Sequence, residues 1–555
     1  MDFLFCFCYL SFVFIFEFEY LSRLLYLVQM SGYTYSSIWE YFGFGFKKTY
    51  IQWLLYLIAV IAILIIGYRN IYYLTALLIL SGGIIISAGD KFNSIKKIRY
   101  TRRMCRLIII SIIFLIFYLI LTLFMDNLFI VVFMPFILAV NYLIIFISLA
   151  VLSPLEYTIS QSYIRKAKLK LSENPNLIKI GITGSYGKTS TKEILGTLLA
   201  THFNVVATPK SFNTPMGITK TILSSIDNLT EVFICEMGAK KVGEIKELCS
   251  IVNVDYGIVT AVGRQHTSTF KNINNIYRTK KELPDYLTGK SCIFNITNKY
   301  VYNMYKEYVG TKIAVFYLKN EGLHITRVLV KKMNKYARKY ISIDNKSRLY
   351  LFPIKNSVYA KNIIISENGC VFDVCMDRCK LFTAETTFVG IHNVINILLS
   401  IAMSKMLCVS NENIEIGIEK LKPIKARLER LTADGGATIL NNGYNSNIDS
   451  VDGALGTVAL FNRKHTLVIT PGFIETNSAY DDNFMLGQKI AKVATDVVIV
   501  KTLNRDAIVD GLKSVGFDLD RVTFASSFSD IKNYVNTLDK DYVVLIENDL
   551  PDNYI

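Results

Sequence analysis

The sequence predicts a multi-pass α-helical membrane anchor followed by two α/β domains, the first a parallel sheet with a small β insertion and the second Rossmann-like. Three observations carry that expectation. Residues 50–68, 71–89, 107–125 and 128–152 contain no charged side chain, and each window is long enough to cross about 30 Å of hydrocarbon. From about residue 175 onward, strand-length apolar runs alternate with helix-like stretches, the rhythm of a sheet wound by crossover helices. Between the two lies a strand, a glycine-rich loop and a helix in direct succession. Of the 555 residues 52% are hydrophobic and only 19% charged, where soluble proteins hold about a quarter charged. That composition excludes a wholly soluble enzyme.

The anchor is expected over residues 1–160 with four or five spans. Phe3–Phe16 is apolar but short, has no basic leader and runs into Glu17 and Glu19, so it reads as a fifth span or half-buried segment rather than a cleaved signal peptide. Lys91, Lys96, Lys97, Arg99, Arg102, Arg103 and Arg106 fill one short loop, which the positive-inside rule assigns to the cytoplasm. Two further crossings return the chain there at Arg165, Lys166, Lys168 and Lys170, within a basic juxtamembrane linker at 161–177. The expected localisation is the cell membrane, with cytoplasmic catalytic domains.

A formal net charge of +16 invites a nucleic-acid partner, yet residues 1–170 hold 15 Lys and Arg against 7 Asp and Glu, half of that excess. Anionic membrane lipid attracts juxtamembrane cations by about 1 kcal/mol each and accounts for them without nucleic acid. Ten cysteines are scattered. Cys370, Cys375 and Cys379 are close together but lack the paired spacing of a zinc site, so all are read as reduced thiols.

In the soluble part, Ile178–Ile182 reads as a buried strand, Gly184–Gly187 as a loop and Thr189–His202 as an amphipathic helix. The runs at 231–236 and 256–262 continue the parallel pattern, with a helix at Val242–Ser250. From about 323 to 389 five apolar segments with turn signals predict the mainly antiparallel insertion. Helices are expected at 391–407 and 411–421. Strands at 466–472, 496–501, 521–526 and 542–549 then give the second α/β domain, so the domain boundaries are set at 178–425 and 426–555.

The chemistry concentrates in "GITGSYGKTS". Gly184 and Gly187 let backbone N–H groups approach phosphate oxygens, the following helix adds its positive end, and Lys188 supplies a mobile cation. Thr189 brings a hydroxyl suited to magnesium. The general P-loop pattern fails, because Ile182 stands where its first glycine belongs.

The shorter loop T-G-x-x-G-K-[ST] resembles that of the Mur ligase superfamily, in particular the branch that adds D-alanyl-D-alanine. "NTPMGI" (213–218), "EMGAKKVGEI" (236–245), "VGRQHTSTF" (262–270) with "TKKEL" (279–283), and "GIHNVIN" (390–396) resemble that branch in the same order, over about residues 175–555. The ending "IENDLPDNY" (546–554) is similar to a membrane-anchored group of such proteins.

The resemblance implies that Gly184, Ser185, Gly187, Lys188, Thr189, Ser190 and Asn213 bind ATP phosphates. Thr189, Glu236, His266 and Lys280 would hold Mg2+, with Lys280 as a carbamate. Asn393 and Asn396 would meet adenine, Arg427 the nucleotide and Asn442 the ribose. Lys188, Glu236, His266 and Lys280 form the implied catalytic set. The sequence departs from the branch at Ala426, where glycine is usual, and at Asn441 and Asn442, where aspartates are usual. The implied reaction joins a D-amino-acid dipeptide to a peptidoglycan peptide precursor through an acyl phosphate. The precursor is UDP-linked or lipid-linked, and a membrane scaffold that keeps the fold without turnover is the rival reading.

Overall fold

The structure, a computed structural model, describes residues 21–33, 99–123, 137–318 and 355–548, apart from 23, 30, 31, 211, 266, 445, 475, 477 and 502. The chain divides into two compact units, residues 1–162 and 163–555.

In the first unit, α1 (Arg102–Leu123) and the leading part of α2 (Ile137–Ser172) are built from apolar runs. Met104, Leu107 and Leu115 bury against Ile145, Leu149 and Leu152. Two polar pairs lie in this packing: Ser111 Oγ donates to Ser148 Oγ at 3.2 Å, and Glu156 meets Arg106 at 2.6 Å. Ile109, Ile113 and Phe117 on α1, with Leu143 and Val151 on α2, remain more than half exposed. Among the described residues one helix, Asn141–Ser172, is long and apolar enough to cross a membrane. The uncharged windows at 50–68 and 71–89 lie outside the described residues, as does the apolar segment Phe3–Phe16. Of the expected spans, the described residues thus show one candidate.

The second unit begins with the last turns of α2 and holds two sheets. The first includes β1 (Ile178–Thr183), β2 (Val205–Ala207), β3 (Val232–Met237), β4 (Tyr256–Val259), β5 (Ser291–Asn295), β6 (Thr311–Tyr317), β7 (Ser357–Ser366), β8 (Gly369–Met376) and β9 (Cys379–Thr386). Among the described residues they lie in the order β2-β3-β1-β4-β5-β6-β7-β8-β9, parallel as far as β7 and antiparallel beyond it. The mainly antiparallel insertion expected at about 323–389 is, over 357–386, continuous with the same sheet. Its earlier part, 319–354, lies outside the described residues. The cause is visible in β7, whose leading half, Ser357–Ala360, pairs with β6 and is buried, so it joins a core already formed.

Helices α3 (Lys188–Leu199), α4 (Pro215–Ser225), α5 (Glu244–Val252), α6 (Thr267–Phe270), α7 (Ile273–Tyr286), α8 (Lys299–Glu307), α9 (Ile391–Met406) and α10 (Asn411–Glu419) accompany this sheet. Their starts are set locally: Thr214 accepts from Gly217 N with Pro215 in the first turn of α4, and Asn272 accepts from Asn275 N at the start of α7. Leu195, Leu198 and Leu199 of α3 and Ile397, Leu398 and Ile401 of α9 are fully buried in one core with Ile180, Ile182 and Ile234. That burial fixes the loop between β1 and α3.

The second sheet contains β10 (Glu429–Thr432), β11 (Thr438–Asn442), β12 (His465–Thr470), β13 (Asp496–Val500), β14 (Val522–Ala525) and β15 (Tyr542–Glu547), in the order β10-β11-β15-β12-β13-β14. Only the β10–β11 pair is antiparallel among them. With α11 (Val451–Val458), α12 (Ala479–Ile490), α13 (Arg505–Lys513) and α14 (Phe528–Thr537) it is the expected Rossmann-like domain.

The two sheets are joined through residues 420–428, where Ala426 and Leu428 adopt left-handed backbone at φ +56° and +52°. Each such turn disfavours an L side chain by roughly 1–2 kcal/mol. Glycine at 426 relieves this, partly offset by its larger unfolded-state entropy. Ala426→Gly should therefore raise stability, by no more than about 1 kcal/mol, and denaturant midpoints at unchanged slope would measure it.

Candidate active site

The loop between β1 and α3 is wedged in place. Gly184 has φ +155°, and a Cβ there would stand 2.0 Å from Thr260 Oγ1. Gly187 begins α3 in left-handed backbone, where a Cβ would lie 2.9 Å from Asn396 Oδ1. Ser185, buried, donates to Gly263 O and accepts from Gly263 N, both at 3.0 Å. The turn exposes N–H groups at the start of a helix, an anion-binding arrangement.

Lys188 folds back over this loop, donating to Gly184 O at 2.7 Å and Ser185 O at 3.3 Å. Burial pushes its amine down to about 8, against the pull of Glu236 and with help from Arg427. Lys280, on α7, is buried, and desolvation followed by repulsion from Lys188 lowers it to about 7. Glu236, near the end of β3, is 1% exposed. Asn213 Nδ2 donates to its Oε1 at 3.1 Å, while Oε2 has no hydrogen-bond partner.

The cation that compensates Glu236 is Lys192, fully buried, with Nζ 3.4 Å from Oε2. Its ammonium also donates to Lys210 O at 2.5 Å. Motif reading misses this residue. The available signal is positional: Lys192, Leu195 and Leu199 occupy one helical stripe, so a lysine stands where the apolar face requires burial. It also lies one turn beyond Lys188, on the same side.

Two cavities adjoin the loop. One of ≈ 260 Å³ is lined by Ser185, Gly187, Lys188, Thr189, Asn213, Glu236, Gln265, Lys280, Arg427 and Tyr444, among others. The second, ≈ 710 Å³, shares Thr189, Arg427 and Tyr444 with it and is otherwise walled by α3, Phe388 and the segment Lys420–Ala426. Arg427 is held across it by the Tyr444 ring at 4.4 Å and by donation to Tyr444 O at 3.1 Å.

Other expected residues stand apart from these walls. Asn393 and Asn396 are buried in the first turns of α9. Asn393 donates to Val389 O at 2.9 Å, and Asn396 Oδ1 accepts from Thr191 at 3.3 Å, so both amides tie α9 to its surroundings. Ser190 is buried in α3. Asn442 donates to Glu547 Oε2 at 2.8 Å, and Ser446 also donates to that carboxylate. Burial raises Glu547 to about 7. An aspartate at 442 would face this buried carboxyl, which gives the departure from the usual residue a physical reason. His266 lies outside the described residues.

Among the described residues no three His, Cys, Asp or Glu side chains converge on a metal site. Magnesium, however, takes one or two protein carboxylates and completes its shell from substrate phosphates and water. The buried Glu236 carboxylate, beside a phosphate-type loop with Thr189 on the cavity wall, fits that requirement, its Oε2 ion-paired to Lys192 but making no hydrogen bond.

Residues 182–404 match the Mur ligase middle domain. The chain is 27% identical over 276 residues to the UDP-N-acetylmuramoyl-tripeptide–D-alanyl-D-alanine ligase of Bacillus subtilis strain 168, covering 50% of this chain and 51% of that one. It is 28% identical over 283 residues to the ligase of the same name from Mycobacterium tuberculosis strain H37Rv, covering 50% and 48%. The match thus spans about half the length of these relatives. The structure of MurF from Acinetobacter baumannii superposes with a TM-score of 0.56 at 20% identity, over 70% of this chain and 77% of that one. MurF from Thermotoga maritima, solved with ADP, gives 0.56 at 19%, over 70% and 80%. Residues 182–404 thus resemble a Mur ligase middle domain, and the unit that contains them shares the fold of those structures. The relatives and structures it resembles over this span are MurF proteins.

Replacing Lys192 by methionine should leave Glu236 as a buried, uncompensated carboxylate and lower unfolding stability by about 3–5 kcal/mol. Denaturant unfolding would measure the loss, and adding Glu236→Gln should recover part of it.

Proposed function

We propose that this chain is an ATP-dependent amide-bond ligase that adds D-Ala-D-Ala to a UDP-linked muramoyl-tripeptide precursor of peptidoglycan. The observation that carries the reading is the convergence of Lys188, Glu236, Lys280 and Arg427 on a cavity whose floor is a helix-initial phosphate loop. The order of motifs and the MurF-like relatives support it.

ATP would place its phosphates over Gly184–Thr189 and its nucleoside in the larger cavity beside Lys420–Arg427. The precursor carboxylate attacks the γ-phosphate, ADP leaves, and the dipeptide amine displaces phosphate from the acyl phosphate, giving the amide. Positioning and charge neutralisation supply most of the acceleration in such a transfer. Lys188 leaves the loop carbonyls for the phosphates, Arg427 holds the nucleotide from the second domain, and Asn213 keeps the Glu236 carboxylate oriented. Magnesium, held through Thr189, Glu236 and the Lys280 carbamate, would neutralise phosphate charge. His266 is proposed as a further ligand.

The membrane anchor is part of the same reading. The exposed Ile109, Ile113 and Phe117 of α1, the apolar Asn141–Ser172 and the uncharged windows at 50–68 and 71–89 support a chain held at the membrane by several spans, catalytic domains facing the cytoplasm. Membrane lipid is then the partner of the anchor, with the basic linker at 161–177 against anionic headgroups.

Lys188→Ala should abolish ATP-dependent phosphate release with precursor and dipeptide while leaving the fold intact by circular dichroism. Undiminished release would contradict the assignment. The pH profile follows from the two lysines. Lys280 must be neutral to take up CO2 as a carbamate, which it is above about pH 7. Lys188 must be charged to meet phosphate, which in the free enzyme fails above about pH 8. The profile of kcat/KM should therefore rise through about 7 and fall beyond about 8, and removing CO2 should lower the plateau.

A further inference from the structure

We propose that Arg264 is a positioning residue that latches the C-terminal domain onto the wall of the phosphate cavity. The proposal rests on the ligase reading above and adds the means by which the second domain is held in place.

Arg264 belongs to the segment after β4, in the first α/β domain, and its partners belong to the second. Its backbone N–H donates to Asp449 Oδ2 at 2.7 Å, and its Nε and a terminal nitrogen donate to Asp449 Oδ1 at 3.2 and 3.0 Å. The other terminal nitrogen reaches Asp482 Oδ1, in the first turn of α12, at 3.4 Å. One guanidinium therefore engages two carboxylates from separate elements, a fork geometry that a lysine ammonium lacks. Asp449 is itself fixed, because its N–H donates to Asn447 Oδ1 at 3.1 Å.

The latch is continuous with the phosphate loop. Gly263 donates to and accepts from the Ser185 hydroxyl, and a Cβ on Gly263 would lie 2.9 Å from the Tyr186 ring and 3.2 Å from Asp449 Oδ2. Gln265, which follows Arg264, lines the cavity together with Ser185 and Tyr186. Docking Asp449 on Arg264 thus presses the segment 261–265 against the loop that cradles phosphate. The side chains of Arg264 and Asp449 are 42% and 32% exposed. An ion pair so hydrated is weak, which suits a contact that must form and release in each turnover.

The test combines hydrogen–deuterium exchange with steady-state kinetics on the full chain in detergent, comparing wild type with Arg264→Ala, Asp449→Ala, the double variant and Arg264→Lys. Arg264→Ala should speed exchange in both 261–265 and 446–453 while 496–500 in β13 exchanges as in wild type. It should lower kcat for ATP-dependent phosphate release roughly tenfold or more with a smaller change in KM for ATP. Asp449→Ala should match it, the double variant should be no worse than either single, and Arg264→Lys should recover part of the rate. Unchanged exchange at 446–453, full turnover in Arg264→Ala, or multiplicative losses in the double variant would each overturn the latch. A wild type whose exchange is coupled through Arg264 but which releases no phosphate with any precursor would instead overturn the ligase reading and leave the latch standing.

Discussion

The fit of Gly184 against Thr260 is the constraint on which the site depends. With 2.0 Å from a notional Cβ to the hydroxyl, only glycine lets the β1–α3 turn seat against the segment after β4. That seating brings Ser185 to Gly263 and sets the first turn of α3. Thr260 Oγ1 also donates to Tyr186 O, so one hydroxyl holds both ends of the turn. The hydrophobic core supplies the rigidity beneath it, since the buried leucines of α3 pack on the strands that frame the loop.

Charge placement is the second constraint. Glu236 and Lys192 are buried together, and such a pair persists only because each removes the other's desolvation penalty. Lys188 and Lys280 have no carboxylate at ion-pair distance among the described residues. Burial brings both amines toward neutrality, helped by Arg427 at Lys188 and by Lys188 at Lys280. Arriving phosphates would restore the charge that burial has weakened, so the cost of burying these amines is returned on binding rather than in folding.

Much of the second unit is legible in the sequence because its strands are short apolar runs and its helices are bounded by local signals. The strand expected at 178–182 ends at Thr183, and the helix expected at 391–407 ends at Met406. The loop glycines and Lys188 follow from the chemistry of phosphate binding. Long-range geometry was not legible. Lys192 pairs with a residue 44 positions away, which no motif encodes. Asn393 and Asn396, expected from a linear motif to meet adenine, also donate to Val389 O and to Asn393 Oδ1 respectively, contacts the motif does not encode. The run at 357–386 has the pattern of an independent meander, and only its pairing with β6 shows that it extends the parallel sheet.

The central claim is amide-bond formation, and the most direct measurement is the mass of the product. Purified full-length protein with Mg-ATP, the UDP-linked muramoyl-tripeptide and D-Ala-D-Ala should convert the precursor to one heavier by the dipeptide less water, with one ADP formed per bond. Unchanged precursor mass, for the UDP-linked and the lipid-linked tripeptide alike and with ATP bound, would contradict it.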